Sequence, residues 1–346
     1  MNDPVEIAGE TIAPGERRQI RVPVAQRLTT GDVEIPAVVV HGRKPGPRLF
    51  VSAALHGDEI NGVEIIRQLL ARPLLRQLRG TLVAVPVVNV YGFISQQRYL
   101  PDRRDLNRSF PGSARGSLAG RLADAFLKNF VEGSTHGIDL HTGAIHRTNL
   151  PQIRARLETP EVEEMARAFG APVILNSSLR PGSLRASARD LGIPTLVYEA
   201  GEALRFDEFS IRAGLHGVVA VMRHLKMLPK HSHSISKAST GVIAHKSVWV
   251  RASETGILTT KLKLGAKIEK KQILGSVGDP IGASVSKIAS PVDGILIGKT
   301  NLPLANEGDA LFHIATFDAL ETVADGLDTF REDIELDPLE DVPIQA

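Results

Sequence analysis

Short apolar runs alternate along this chain with stretches whose apolar residues recur every three or four positions, a pattern of buried strands and amphipathic helices. Up to about residue 45 the pattern is β-like, with strands expected at 19–24 and 33–40 between turn signals at Pro14-Gly15, Thr30-Gly31-Asp32 and Lys44-Pro45-Gly46. Pro23 and Pro36 favour edge positions, because proline has no N–H to give a second neighbour. The run Leu49-Phe50-Val51-Ser52-Ala53-Ala54-Leu55 reads as a core strand, and Val63, Ile66 and Leu70 behind it have helical spacing. Further strands are expected at 80–89, 137–140, 171–175 and 192–202, and helices at 117–131, 160–169 and 207–225. Helix 117–131 would bury Leu118, Leu122, Ala125, Phe126 and Phe130 on one face. Alternation of this kind predicts an α/β fold with a mixed, mainly parallel sheet flanked by helices.

Two stretches break the rhythm. Residues 96–112 carry four arginines and no periodicity, and long loops inside compact domains tend to be functional. Residues 228–240 are polar and serine-rich and read as a linker. Beyond them short strands and glycine turns take over, with an internal repeat at an offset of 38 residues. Gly256-Ile257-Leu258 matches Gly294-Ile295-Leu296, and 272–277 matches 310–315 less closely, which suggests a small two-fold β sandwich. The expected organisation is a catalytic domain over 1–227 with an N-terminal β extension at 1–45, a linker over 228–240, a smaller all-β domain over 241–317, and an acidic, partly mobile tail over 318–346.

Composition narrows the chemistry. With 346 residues, 42% hydrophobic and 23% charged, the chain is that of a soluble globular protein. Its formal charge of +2 arises from nearly balanced acids and bases, so neither nucleic acid nor an anionic membrane is indicated as a partner. The absence of cysteine excludes disulfides, thiolate metal sites and a cysteine nucleophile, and it suits a reducing cytoplasm. Met1 to Glu6 lack the basic start and apolar stretch of a signal peptide, and no run approaches the roughly 20 apolar residues of a membrane span. A cytoplasmic location is therefore expected.

Ligands of a parallel sheet gather beyond the carboxyl ends of its strands. There the chain places His56-Gly57-Asp58-Glu59, then Asp139-Leu140-His141-Thr142-Gly143, then Glu199-Ala200-Gly201-Glu202. His56, Glu59 and His141 have the composition of a catalytic zinc site, three nitrogen or oxygen ligands with one position open. Alone, a histidine and a glutamate three apart are more often incidental than metal-binding; the context of two core strands shifts the balance towards metal. Asp139 is either support for a ligand or a plain strand-end carboxylate.

Together with Asp105-Leu106-Asn107-Arg108, these motifs occur in the order seen in the succinylglutamate desuccinylase/aspartoacylase family, a branch of the zinc carboxypeptidase-like hydrolases. The chain resembles that family over about residues 20–225, and its C-terminal β region is similar to the domain such enzymes carry. The resemblance implies one zinc per chain held by His56, Glu59 and His141, with Glu199 as general base and acid. Glu202 competes for that role, but Glu199 occupies the family's position. Asn107 and Arg108 would grip a substrate carboxylate, since a planar guanidinium suits bidentate binding. Arg98 would polarise the amide carbonyl. Arg154 and Arg185, or Arg180 in place of Arg185, are further candidates for the acyl group or a second carboxylate.

The function implied is removal of a succinyl-, acetyl- or aspartyl-type acyl group from a small N-acylated carboxylate, with the homo-oligomeric state left open. Two other readings compete. One is a zinc carboxypeptidase acting on peptides. The other is a non-catalytic carrier, because residues 289–295 resemble part of a biotinyl/lipoyl-type domain, with Lys287 the nearest lysine. Its flanking residues are wrong for a carrier, which favours a lid over the zinc cleft. His41, His136, His146, His216, His224 and His245 read as packing or surface residues.

Overall fold

In the computed structural model the described residues are 2–230, 241–282, 284–318 and 320–336. Most of the expected linker, with His231 and His233, and residues 337–346 of the expected tail lie outside them.

A hairpin of β1 (Val5–Ile7) and β2 (Glu10–Ile12) precedes β3 (Arg17–Gln26), β4 (Asp32–His41) and β5 (Lys44–Ala53). Helix α1 (Asn61–Ala71), β6 (Arg79–Val85), α2 (Val90–Ser95), α3 (Leu118–Phe126) and β7 (His136–Gly143) follow. Next come β8 (Arg147–Ala155), α4 (Pro160–Phe169), β9 (Val173–Asn176), α5 (Leu184–Asp190), β10 (Thr195–Glu202) and α6 (Glu208–His224). The C-terminal part supplies β11 (Val242–Ala244), β12 (Lys246–Arg251), β13 (Gly256–Thr259), β14 (Lys267–Ile268) and β15 (Ile273–Gly278). It continues through β16 (Val285–Ala289), β17 (Gly294–Thr300), β18 (Leu304–Ala305) and β19 (Ala310–Thr316) to α7 (Leu320–Leu336).

One large sheet runs in the order β12-β19-β17-β8-β10-β7-β5-β6-β4-β3. Its centre, β6-β5-β7-β10, is parallel, while both flanks are antiparallel. The sheet is therefore mixed, with the expected parallel character in the central strands that end at the candidate site and again where β9 pairs with β8 and β11. Both faces of the second half of β5 are buried, which explains its run of apolar residues at 49–51. Leu49 and Val51 face a core built with Ile65, Leu69, Met165, Phe169 and Leu215 of α1, α4 and α6. Phe50 faces the opposite core, with Leu122 and Phe126 of α3 and Val83 of β6. Pro36 fits its strand because β4 pairs β6 only from Val38 onwards, so the missing N–H has no second partner to serve.

Strands β13, β15, β16 and β18 form a second sheet, and the two halves of the sequence repeat fall in different sheets. Leu258, Leu274 and Val277 from one side share a core with Leu296, Phe312 and Ile314 from the other. These strands do not stand off from the rest, because β17 pairs with β8 through Gly298 and Asn149. Lys287 lies in the middle of β16, opposite Ser276, not at the hairpin tip a carrier lysine needs. Within the stretch expected as acidic tail, α7 buries Val323, Leu327, Phe330 and Ile334, the last two against Ala213 of α6. Among the described residues no helix is long and apolar enough to cross a membrane.

The turn after β5 is fixed by backbone contact. Val88 and Asn89 donate to the carbonyls of Ala53 and Ala54, and a Cβ on Gly57 would lie 1.9 Å from the Gly92 carbonyl carbon. Gly57→Ala should therefore cost at least about 2 kcal/mol, read as a clear fall in melting temperature. Gly192→Ala has open space and only a positive φ to oppose it, and should cost about 1 kcal/mol. Equal melting temperatures for the two variants would contradict this packing.

Candidate metal and catalytic site

His56 and Glu59 occupy the loop from β5 to α1, and His141 lies near the end of β7, two strands that pair in parallel. All three are buried, and one donor atom from each lies within 4.8 Å of the others. Glu59 sits between the rings: its Oε1 is 2.8 Å from His56 Nδ1 and its Oε2 is 2.7 Å from His141 Nδ1. The far nitrogens are held as well. His56 Nε2 is 3.1 Å from Asp105, and His141 Nε2 is 2.6 Å from Asp139. Asp139 is in turn oriented by Ser52, whose hydroxyl donates at 2.8 Å from the facing position on β5. Asp139 is thus a buried carboxylate that holds the His141 ring, not a solvated strand end.

These contacts carry a charge argument. The bonded cluster holds three carboxylates, Glu59, Asp105 and Asp139, and one guanidinium, Arg98, which bridges Glu59 at 3.0 Å and Asp105 at 3.1 Å. With neutral imidazoles the sum is −3 + 1 = −2, in a place where uncompensated charge is costly. With Nε2–H donating to a carboxylate, each Nδ1 presents a lone pair to Glu59 unless something positive lies between. Protons can fill that role. Burial opposes the imidazolium forms, yet Glu59 with Asp105 raises His56, and Asp139 with Glu59 raises His141 well above the usual histidine range. Burial likewise opposes the Glu59 carboxylate, but both histidines hold it well below the usual range. A divalent cation would supply the same two charges at once. The donor set thus fits a metal such as zinc, with two imidazoles, one carboxylate and held far nitrogens.

Around this centre lies a cavity of about 470 Å³. Arg98, Asn107 and Arg108 reach it from the loop between α2 and α3, Arg154 from β8, Arg180 and Arg185 from in and before α5, and Glu199 from β10. The structure therefore brings together every residue singled out for metal, catalysis or substrate. Asn107 Oδ1 accepts from the backbone N–H of Leu184 at 3.0 Å, which leaves its amide N–H groups as donors to the cavity. Glu199 stands opposite His141 in the β10–β7 pairing and is ion-paired to Arg154 at 3.0 Å. Glu202 is occupied elsewhere, accepting from the His146 backbone and from Asn301. Arg185 donates to Ser177 and Ser178, and burial, then Arg154, lowers it to about 10.

Several lining residues carry no recognisable signal in the sequence. Lys246, Ser247 and Trp249 of β12 and His313 of β19 form one wall, and Arg147 and Asn149 come from β8. Trp249 and His313 stack with ring centroids 4.4 Å apart, and the Arg147 guanidinium lies 5.5 Å from the Trp249 ring. Burial, then Arg154, lowers His313 to about 3, so its ring is neutral. His245, read as a packing or surface residue, also lines the cavity. Only the single tryptophan of a chain poor in aromatics could have drawn attention to this wall.

The chain is similar to known proteins in sequence and in fold. A model of the succinylglutamate desuccinylase/aspartoacylase catalytic domain matches residues 45–225. The chain is 27% identical over 296 residues to an N-alpha-acetyl-L-2,4-diaminobutyric acid deacetylase of Halomonas elongata, covering 82% of this chain and 86% of that one. A succinylglutamate desuccinylase/aspartoacylase from Rhodobacter sphaeroides has a similar fold, with a TM-score of 0.77, 24% identity, and coverage of 88% and 95%. So does the product-bound ectoine utilization protein EutE (DoeB) of Ruegeria pomeroyi, with a TM-score of 0.77, 23% identity, and coverage of 87% and 95%.

If a divalent ion replaces the protons shared by His56, Glu59 and His141, loading metal-stripped protein with zinc should release about two protons per chain near neutral pH. Calorimetric titrations in buffers of different ionisation enthalpy read that number. Affinity should weaken as pH falls, and a heat independent of buffer would contradict the charge argument.

Proposed function

The chain belongs to the succinylglutamate desuccinylase/aspartoacylase family, and on that premise we propose that it is a zinc-dependent hydrolase cleaving the amide of a small N-acylated amino acid. The observation that carries the reading is the meeting of the buried His56, Glu59 and His141 donors with Glu199 and a cluster of guanidiniums in one cavity. Zinc held by His56, Glu59 and His141 would supply Lewis acidity to the acyl carbonyl and the attacking water. Glu199 accepts the water proton and delivers it to the departing nitrogen, which needs a carboxylate with one oxygen free. Arg98, beside Glu59, donates to the carbonyl oxygen as negative charge develops there. Asn107 and Arg108 hold the amino-acid carboxylate through the free amide and the guanidinium.

Size and charge support a narrower substrate class. A cavity of about 470 Å³, walled by β12 and β19, suits a small molecule better than a peptide. Its lining has Arg98, Arg108, Arg147, Arg154, Arg180, Arg185 and Lys246 against the carboxylates of Glu59, Asp139 and Glu199. Arg154 and Arg185, with Arg180 beside them, would receive a second negative group. A substrate with two or more carboxylates is thus favoured over one with a side-chain amine, such as that named for the Halomonas relative.

Zinc-loaded protein should hydrolyse N-succinyl-L-glutamate or N-acetyl-L-aspartate at least tenfold faster, in kcat/KM, than N-acetyl-L-2,4-diaminobutyrate. Preference for the diaminobutyrate would contradict the charge assignment. Glu199→Gln should keep zinc and lower kcat by about a thousandfold or more, the scale expected for loss of a general base. A Glu199→Gln enzyme with near wild-type turnover would remove that residue from the mechanism.

A further inference from the structure

Away from the metal donors, the tightest convergence in the cavity is on one oxygen of Glu199. Asn149, on β8, donates its Nδ2 to Glu199 Oε2 at 2.8 Å, and Arg154 of the same strand lies 3.0 Å from that same oxygen. Among the described residues nothing bonds Oε1. The terminal torsion of a glutamate is broad and roughly two-fold, so a carboxylate held by neither oxygen does not present a fixed lone pair. Two donors on Oε2 set the plane of the group and leave Oε1 as the atom that can take a proton.

The seat of Asn149 comes from a distant part of the chain. Its backbone pairs with Gly201 of β10 on one side and Gly298 of β17 on the other, and Gly298 pairs onward with His313 of β19. Gly298 has no positive φ, so its missing side chain serves space and not backbone freedom. A Cβ there would lie 2.8 Å from Asn149 Oδ1 and 3.3 Å from His313 Cβ. We infer that Asn149 is a positioning residue for the Glu199 carboxylate, and that Gly298 leaves the notch in which its amide is held. The C-terminal strands thereby act on the proposed base itself, in addition to walling the cavity. This inference rests on Glu199 being the general base of the proposed hydrolysis.

Asn149 acts through direction and not charge. An amide donor to a charged acceptor contributes on the scale of about 1.5–3 kcal/mol, which corresponds to roughly ten- to a hundredfold in rate. The test uses zinc-loaded full-length protein and whichever of N-succinyl-L-glutamate, N-acetyl-L-aspartate and N-acetyl-L-2,4-diaminobutyrate the wild type cleaves fastest. Asn149→Ala should lower kcat about ten- to a hundredfold with KM within about twofold and zinc content unchanged. Gly298→Ala should lower kcat and melting temperature in the wild-type background. Combined with Asn149→Ala, it should add less loss of either than it causes alone, because the 2.8 Å contact with Asn149 Oδ1 is then gone and only the looser 3.3 Å contact with His313 Cβ remains.

A substrate-free readout is the side-chain amide resonance of Asn149, which should move on Glu199→Gln. Wild-type kcat in Asn149→Ala, additive penalties in the double variant, or an unmoved amide resonance would each overturn the inference. If Glu199→Gln is inactive while Asn149→Ala is not impaired, only the positioning role fails. If Glu199→Gln remains active, the underlying assignment of the base fails instead.

Discussion

The site depends on a carboxylate buried between two imidazoles. Glu59 is among the least exposed acids of the chain, yet it faces His56 Nδ1 and His141 Nδ1 and receives the backbone N–H of Thr142 at 3.2 Å. Asp105 and Asp139 hold the far side of each ring, so the cluster carries more negative charge than Arg98 alone can balance. Such a group of acids is tolerable inside a protein only if protons or a cation complete it. The surrounding fold is arranged to keep them there. Adjacent parallel strands β5 and β7 hold or lead to the two histidines, Ser52 fixes Asp139 across the strand pair, and the loop over residues 98–108 reaches His56 through Asp105 and Glu59 through Arg98.

From that centre the remaining features follow in layers. Glu199 stands in register with His141 on the next parallel strand, which sets a further carboxylate in the cavity beside the His56, Glu59 and His141 group. The guanidiniums of Arg98, Arg108, Arg147, Arg154, Arg180 and Arg185 line the same cavity. The last wall belongs to β12 and β19, well beyond residues 45–225, over which the family resemblance is recognised. The pairing of β17 with β8 ties that wall to the strand carrying Asn149 and Arg154. A chain cut at residue 225 would keep His56, Glu59 and His141 but lose the β12 and β19 residues that line the same cavity.

What was legible in the sequence was whatever is local. The run at 49–55 announces a core strand, and the helix expected at 160–169 is α4, which the structure shows capped by Thr159 and Gly170. The motifs around His56, His141 and Glu199 could be read because each follows such a strand. Strand β8 was not expected, because Arg147-Thr148-Asn149-Leu150-Pro151 shows neither alternation nor an apolar run; it is paired on both sides, and its Arg147, Asn149 and Arg154 line the cavity. Helix α5 is only a short capped turn of Leu184–Asp190, too brief for its spacing to show. Helix α7 has its apolar stripe diluted among acids. The joining of the C-terminal strands to the main sheet pairs residues about 150 positions apart, as with Gly298 and Asn149, and no local pattern encodes that register.

The central claim is that a metal ion completes the Glu59 cluster and that hydrolysis depends on it. The most direct measurement strips the protein of metal, adds zinc in steps, and follows bound zinc and hydrolysis of N-succinyl-L-glutamate and N-acetyl-L-aspartate in the same samples. The account predicts that activity rises in proportion to bound zinc, saturates at a single ion per chain, and is absent at every zinc level in His141→Ala. Full activity in the stripped protein, or zinc-dependent activity that survives His141→Ala, would contradict it.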